Sequence, residues 1–76
     1  MNISGVLVRT FPDGILPVSA HLNEIPGVEV HGNNNDGRIV VTVEQDQPDQ
    51  LAGTLSKMMS LPGVLAASMI YHQFDD

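Results

Sequence analysis

Two near-copies of one tetrapeptide constrain this chain more than any other feature. Ile25-Pro26-Gly27-Val28 opens "IPGVEVHG", and Leu61-Pro62-Gly63-Val64 opens "LPGVLAAS". An internal repeat marks the same step of a repeated structural unit. Proline cannot continue a helix, because it lacks the N–H and its ring meets the preceding turn. Glycine supplies the backbone angles needed where a chain leaves a helix. Valine then suits the start of a buried strand. Each copy reads as an exit from a helix into a strand, so the chain makes that exit twice.

The segments around the two copies complete the pattern. "ISGVLVRT", residues 3–10, is β-branched and aliphatic and reads as a strand. "FPDG" reads as a loop, and Pro17 fits the first turn of a helix over residues 17–25, with Val18, His21, Leu22 and Ile25 on one stripe. "VEVH" alternates as a half-buried strand, and "GNNNDG", residues 32–37, reads as the turn after it. "RIVVTVE", residues 38–44, is the strongest strand signal, with Ile39, Val41 and Val43 on one side. Pro48 is placed to open a second helix, with Asp49 near its positive end and Leu51, Leu55, Met58 and Met59 as its apolar stripe. "VLAASMIYH", residues 64–72, reads as the last strand.

The order β-α-β-β-α-β in a single domain over residues 1–76 predicts an α+β, ferredoxin-like split βαβ fold. Four antiparallel strands then form one sheet with both helices on one face. The second face is left uncovered by the chain itself.

Composition excludes several classes of function. Nine acidic and three basic residues give a net charge of −6, the wrong sign for a nucleic-acid binder. There is no cysteine, so thiolate chemistry, disulfides and Cys-based metal sites are excluded. No apolar run reaches the roughly 18 residues of a membrane span, so no membrane insertion is expected. "MNIS" lacks the features of a secretory signal, and a cytoplasmic location is expected. His21, His31 and His72 lack metal-site spacing, the serines lack a nucleophile-elbow context, and no glycine-rich loop has the pattern that cradles phosphate. The expectation is a chain that is not an enzyme and carries no cofactor or metal.

What is left is recognition by a surface. With Ile39, Val41 and Val43 facing the core, Arg38, Val40, Thr42 and Glu44 face outward on the third strand. On the first strand Gly5, Leu7 and Arg9 are assigned outward. On the last strand Ala66, Ser68, Ile70 and His72 are assigned outward, and Leu65, Ala67, Met69 and Tyr71 inward. The expected peptide-binding residues are Gly5, Leu7, Val40, Thr42, Glu44, Ser68, Ile70 and His72, an aliphatic patch ringed by polar groups. At this point a solvated face, or one closed by homodimerisation, competes with a partner site.

"PGVLAASMIYHQFDD" resembles the end of the NapD family, and "ISGVLVRT", "IPGVEVHG" and "GRIVVTVE" resemble its other strands, so the likeness spans essentially the whole chain. "GNNNDG" is particular to this chain. The family consists of small cytoplasmic chaperones for maturation of the periplasmic nitrate reductase. The resemblance implies the ferredoxin-like fold. It also implies binding of the twin-arginine signal peptide of the reductase's catalytic subunit, a delay of export until cofactor insertion, and no enzymatic activity. Such a peptide is cationic at one end and apolar afterward, which suits an acidic domain with an open aliphatic face. The alternative is a small-ligand-sensing or dimerisation module of the same fold; such modules usually sit inside longer chains.

Overall fold

In the computed structural model, which describes residues 2–47 and 49–74, both Pro-Gly copies adopt the same turn. The Val28 N–H donates to the Ile25 carbonyl at 3.1 Å, and the Val64 N–H donates to the Leu61 carbonyl at 3.2 Å. Gly27 and Gly63 have φ of 83° and 91°. Proline second and positive-φ glycine third is the pattern of a type II turn. Each turn is then fastened to a neighbouring strand: the Glu44 N–H donates to the Gly27 carbonyl, and the Leu65 N–H to the Arg9 carbonyl, both at 2.8 Å.

The elements run β1 (Asn2–Arg9), a short 3-10 turn (Pro12–Gly14), α1 (Ile15–Asn23), β2 (Val28–Asn34), β3 (Arg38–Gln45), α2 (Gln50–Met59) and β4 (Ala66–Phe74). The strands form one antiparallel sheet in the order β2-β3-β1-β4. This is the ferredoxin-like arrangement expected from the repeat. Among the described residues no helix is long and apolar enough to cross a membrane.

Several boundaries differ from the sequence reading. "FPDG" is a 3-10 turn that runs straight into α1, which starts at Ile15. Pro17 is therefore the third helical residue, still within the first turn, where backbone N–H groups have no helical partner to lose. β2 extends through Gly32–Asn34, which pair with Val40, Ile39 and Arg38, so the turn shrinks to Asn35–Gly37. An available edge of β3 supplies ladder hydrogen bonds that override the turn preference of those residues. β4 begins two residues later than expected and continues past His72. Pro48, read as opening α2, and the last two residues of the acidic tail lie outside the described residues.

All the buried apolar side chains gather on one side of the sheet. Val6 and Val8 of β1, Val28 of β2 and Ile39, Val41 and Val43 of β3 pack with Ile15, Val18 and Leu22 of α1 and Met58 of α2. Leu51 and Leu55 complete the α2 stripe at its margin, while Met59 is exposed. Thr54 takes an inward position instead, satisfied by the Gln50 carbonyl at 3.2 Å and by the Gln45 side chain. Thr10, also buried, ties three segments together. Its N–H donates to the Gly37 carbonyl at 2.8 Å and its hydroxyl to the Gly63 carbonyl at 2.7 Å.

Both edge strands carry a bulge. On β2, Val30 pairs with Val41 and Gly32 with Val40, leaving His31 as an extra residue. On β4, Met69 pairs with Val6 and Tyr71 with Gly5, leaving Ile70 as the extra residue. A bulge twists an edge away from further strand pairing and reverses the side-chain alternation beyond it. On β4 that reversal changes which residues face outward.

Two stability outcomes follow. Val41→Ala removes a fully buried side chain and is expected to cost about 1–3 kcal/mol in urea unfolding. Gly27→Ala forces a side chain into the left-handed region and onto the Glu44 carbonyl, and a loss of more than about 1 kcal/mol is expected. Gly53→Ala, at an open helical position, is the control and is expected to gain about 0.5–1 kcal/mol. A neutral Gly27→Ala would remove the turn from its structural role.

Candidate functional site

The face opposite the helices is built from alternate residues of β1 and β3. Leu7 stands opposite Val40, Gly5 opposite Thr42, Ile3 opposite Glu44 and Arg9 opposite Arg38. Their partners one position along, Val6, Val8, Ile39, Val41 and Val43, are buried under the helices. Strand geometry therefore forces this second set to the uncovered side. Val40 is 41% exposed, a high value for a valine on a central strand, while Leu7 beside it is half-buried.

β4 contributes differently from the sequence assignment. Before the bulge the expected alternation holds: Ser68 pairs with Leu7 and Ala66 with Arg9, on the open side. Beyond it the alternation is inverted. Tyr71, assigned inward from the sequence, pairs with Gly5 on the open side. His72, assigned outward as a peptide contact, pairs with buried Ser4, and its Nδ1 lies 2.8 Å from the Ser4 hydroxyl. The physical cause is the extra residue at Ile70, which is itself 55% exposed. His72 accordingly lies on the core side beside Ser4, and Tyr71 takes its place on the face.

The Tyr71 ring lies across Gly5. A methyl group built on Gly5 would overlap the ring edge, so the glycine is the seat that lets the aromatic lie flat on the sheet. Gly5 is buried by that ring even though it belongs to the open side. The sequence signal for this was present: an isolated glycine in a strand marks a bulge or a close approach.

On the other flank His31, the extra residue of the β2 bulge, places Nε2 2.6 Å from the Thr42 hydroxyl. That contact half-buries Thr42 and puts His31 on the open side too. On the His31 side of the face lies a shallow depression of about 560 Å³ over Leu7, Val40 and Gly32, edged by His31, Asn34 and Arg38. A side chain at Gly32 would meet nothing within 4 Å, so the hollow is open to a ligand. The expected residues Gly5, Leu7, Val40, Thr42, Glu44 and Ser68 thus share one surface with Tyr71 and His31, which the sequence reading missed. Ile70 sits at the rim of that surface and His72 is turned from it.

A second concavity of about 540 Å³ lies at the end of β3 beside α2, lined by Glu44, Asp46, Gln50 and Lys57 together with Ile25 and Pro26. The depression on the sheet is the one floored by Leu7 and Val40 of the open face. An apolar stem with a few polar groups at its edge is what peptide recognition requires.

Comparison with known proteins agrees with this architecture. The family model "NapD protein" matches residues 1–76. Chaperone NapD of Escherichia coli strain K12 is 31% identical over 76 residues, covering 99% of this chain and 87% of that protein. The solution structure of the E. coli Tat proofreading chaperone protein NapD superposes with a TM-score of 0.86 at 31% identity, over 97% of this chain and 79% of that one. A crystal structure of a Thermus thermophilus protein gives a TM-score of 0.85 at 22% identity, over 100% and 96% of the two chains, and shares the fold. With a family match across its whole length and a relative this similar, the chain belongs to the NapD protein family.

Proposed function

We propose that this protein is a cytoplasmic chaperone that binds the twin-arginine signal peptide of the periplasmic nitrate reductase catalytic subunit and delays export until cofactor insertion. The observation that carries the reading is the uncovered sheet face. Its centre is Leu7 and Val40, with Tyr71 on one flank and His31 on the other. The face belongs to a chain of net charge −6. The family's named chaperone relatives supply the class of activity.

The mechanism is sequestration. A signal peptide that folds as an amphipathic helix lays its apolar side in the depression, which buries aliphatic surface on both partners. Tyr71 adds a large, stiff contact surface with a polar tip. Occupied in this way, the peptide's apolar segment is withheld from the export apparatus. Release follows when a competing partner binds the peptide more tightly. The acidity of the chain speeds the encounter with a cationic peptide. No bond is made or broken, and the work is done by burial of surface.

Tyr71 provides the test, because it is the single tyrosine and the chain has no tryptophan. Titration with a synthetic twin-arginine signal peptide lacking Tyr and Trp is expected to give a saturable change in intrinsic fluorescence. Val40→Glu is expected to weaken binding by about tenfold or more, as for a charge placed at an interface centre. Its unfolding free energy should stay within about 1 kcal/mol of the parent. Leu16→Glu, on α1 at 82% exposure, is the control and should bind normally. Physiological salt should leave most of the affinity, since exposed ion pairs contribute only about 0–1 kcal/mol. A Leu16→Glu variant that fails beside a Val40→Glu variant that binds would place the site elsewhere. A concentration-dependent dimer with no peptide binding would make a second copy of the chain the occupant.

A further inference from the structure

The open face is graded in charge along the strands. Arg9 of β1 stands opposite Arg38 of β3 at one end. At the other end Glu44 stands opposite Ile3, and Glu29 of β2 stands opposite Thr42. Leu7 and Val40 lie between. From end to end the surface therefore runs acidic, apolar, basic.

This gradient is not a consequence of composition. The chain has three basic residues, and two of them are cross-strand neighbours on this one face. Like charges placed directly opposite destabilise a sheet. Asp36 offsets Arg38 in part, with its carboxylate 3.5 Å from Nε, on a side chain that is 47% exposed. Asp13 lies in the 3-10 turn that runs into α1. Lys57, the remaining basic residue, belongs to α2 on the covered side, where it lines a cleft with Glu44 and Asp46.

A helix is graded in the same sense. Its amino-terminal end carries partial positive charge and its carboxy-terminal end partial negative charge. A peptide with cationic side chains at its amino-terminal end adds to that polarity. The span from Arg38 to Thr42 or Glu44 is roughly 13–20 Å at strand spacing. A helix covers it in about nine to thirteen residues, the length of a short apolar segment that follows a basic one.

We infer that the open face sets direction: it seats a helical peptide with its cationic amino-terminal end over Glu29 and Glu44 and its carboxy-terminal end over Arg9 and Arg38, in the same sense as β1. This rests on the reading of the face as the peptide's seat. In the opposite sense the peptide's cations would meet Arg9 and Arg38, and its negative end would meet Glu29 and Glu44, so both terms change sign together. The cross-strand arginine pair is then a directional element, tolerated in the free protein for its role in the complex.

Paramagnetic broadening distinguishes the two directions. The protein has no cysteine, so a nitroxide can be attached to a single cysteine in the peptide alone, at either end of its apolar segment. With the full ¹⁵N-labelled chain, the amino-terminal label is expected to broaden the amides of Ile3, Thr42 and Glu44. The carboxy-terminal label is expected to broaden those of Arg9, Arg38 and Ala66. In a double-mutant cycle, Glu44→Gln against replacement of the peptide's arginines by glutamine should show a favourable coupling of up to about fivefold, and the same cycle with Arg9→Gln should show none. Exchanged broadening patterns, or both labels broadening both ends alike, would overturn the direction while leaving the seat intact. Broadening confined to α1 and α2, or none at all, would overturn the seat and the direction with it.

Discussion

The handedness of strand–helix–strand crossovers is the constraint from which the rest of this molecule follows. β1 and β2 are parallel with β3 between them, and β3 and β4 are parallel with β1 between them. Each pair is joined by a helix, and a right-handed crossover is strongly favoured. Two interleaved right-handed crossovers put both helices on the same side of the sheet. The Pro-Gly turns make that return sharp. Their glycine backbones approach Glu44 in one half, and Thr10 and Val18 in the other, so closely that each helix exit is locked to a strand end. A sheet covered once is necessarily bare once. The open face is the remainder of the fold.

A bare aliphatic face in a chain of 76 residues needs protection, and the structure supplies it in two forms. Tyr71 folds over Gly5, which covers the backbone at the place where β1 offers no side chain. His31 covers Thr42 from the opposite flank. The two bulges that bring these residues onto the face also sit on the two edge strands, where they interrupt the regular ladder that would invite another strand to pair. One device thus serves two ends. It discourages edge-to-edge association and it sets Tyr71 and His31 on the two flanks of the open face.

The same bulges mark the limit of what the residues alone disclose. Alternation along β3 is unambiguous, since Ile39, Val41 and Val43 are apolar and Arg38, Thr42 and Glu44 are not, and the structure follows it residue for residue. In β4, Met69, Ile70 and Tyr71 are three large apolar residues in a row, so hydropathy says nothing about an inserted residue. One extra position inverted Tyr71 and His72 while Ala66 and Ser68 stayed as read. Gly5 was the available clue, and its meaning depended on a partner more than sixty positions away in sequence (71 against 5). The extension of β2 into "GNN" has the same origin. Local preference favoured a turn, and a free edge of β3 decided otherwise.

The acidity of the chain has two distinct physical consequences. As a net charge of −6 it acts at long range, over about a Debye length of 8–10 Å, and favours encounter with cationic partners. That role needs no particular residue. Local placement is a separate matter, because Glu29 and Glu44 stand at one end of the open face and Arg9 and Arg38 at the other. Exposed charges in such positions contribute little to affinity individually, so in the proposed complex residence on the face falls to Leu7, Val40 and the Tyr71 ring. A ligand held by apolar contact alone can slide or reverse, since that contact is non-directional. In the proposed complex the graded charge supplies the missing direction at small energetic cost. On the proposed reading, affinity and orientation belong to different residues of one surface, and each can be altered without destroying the other.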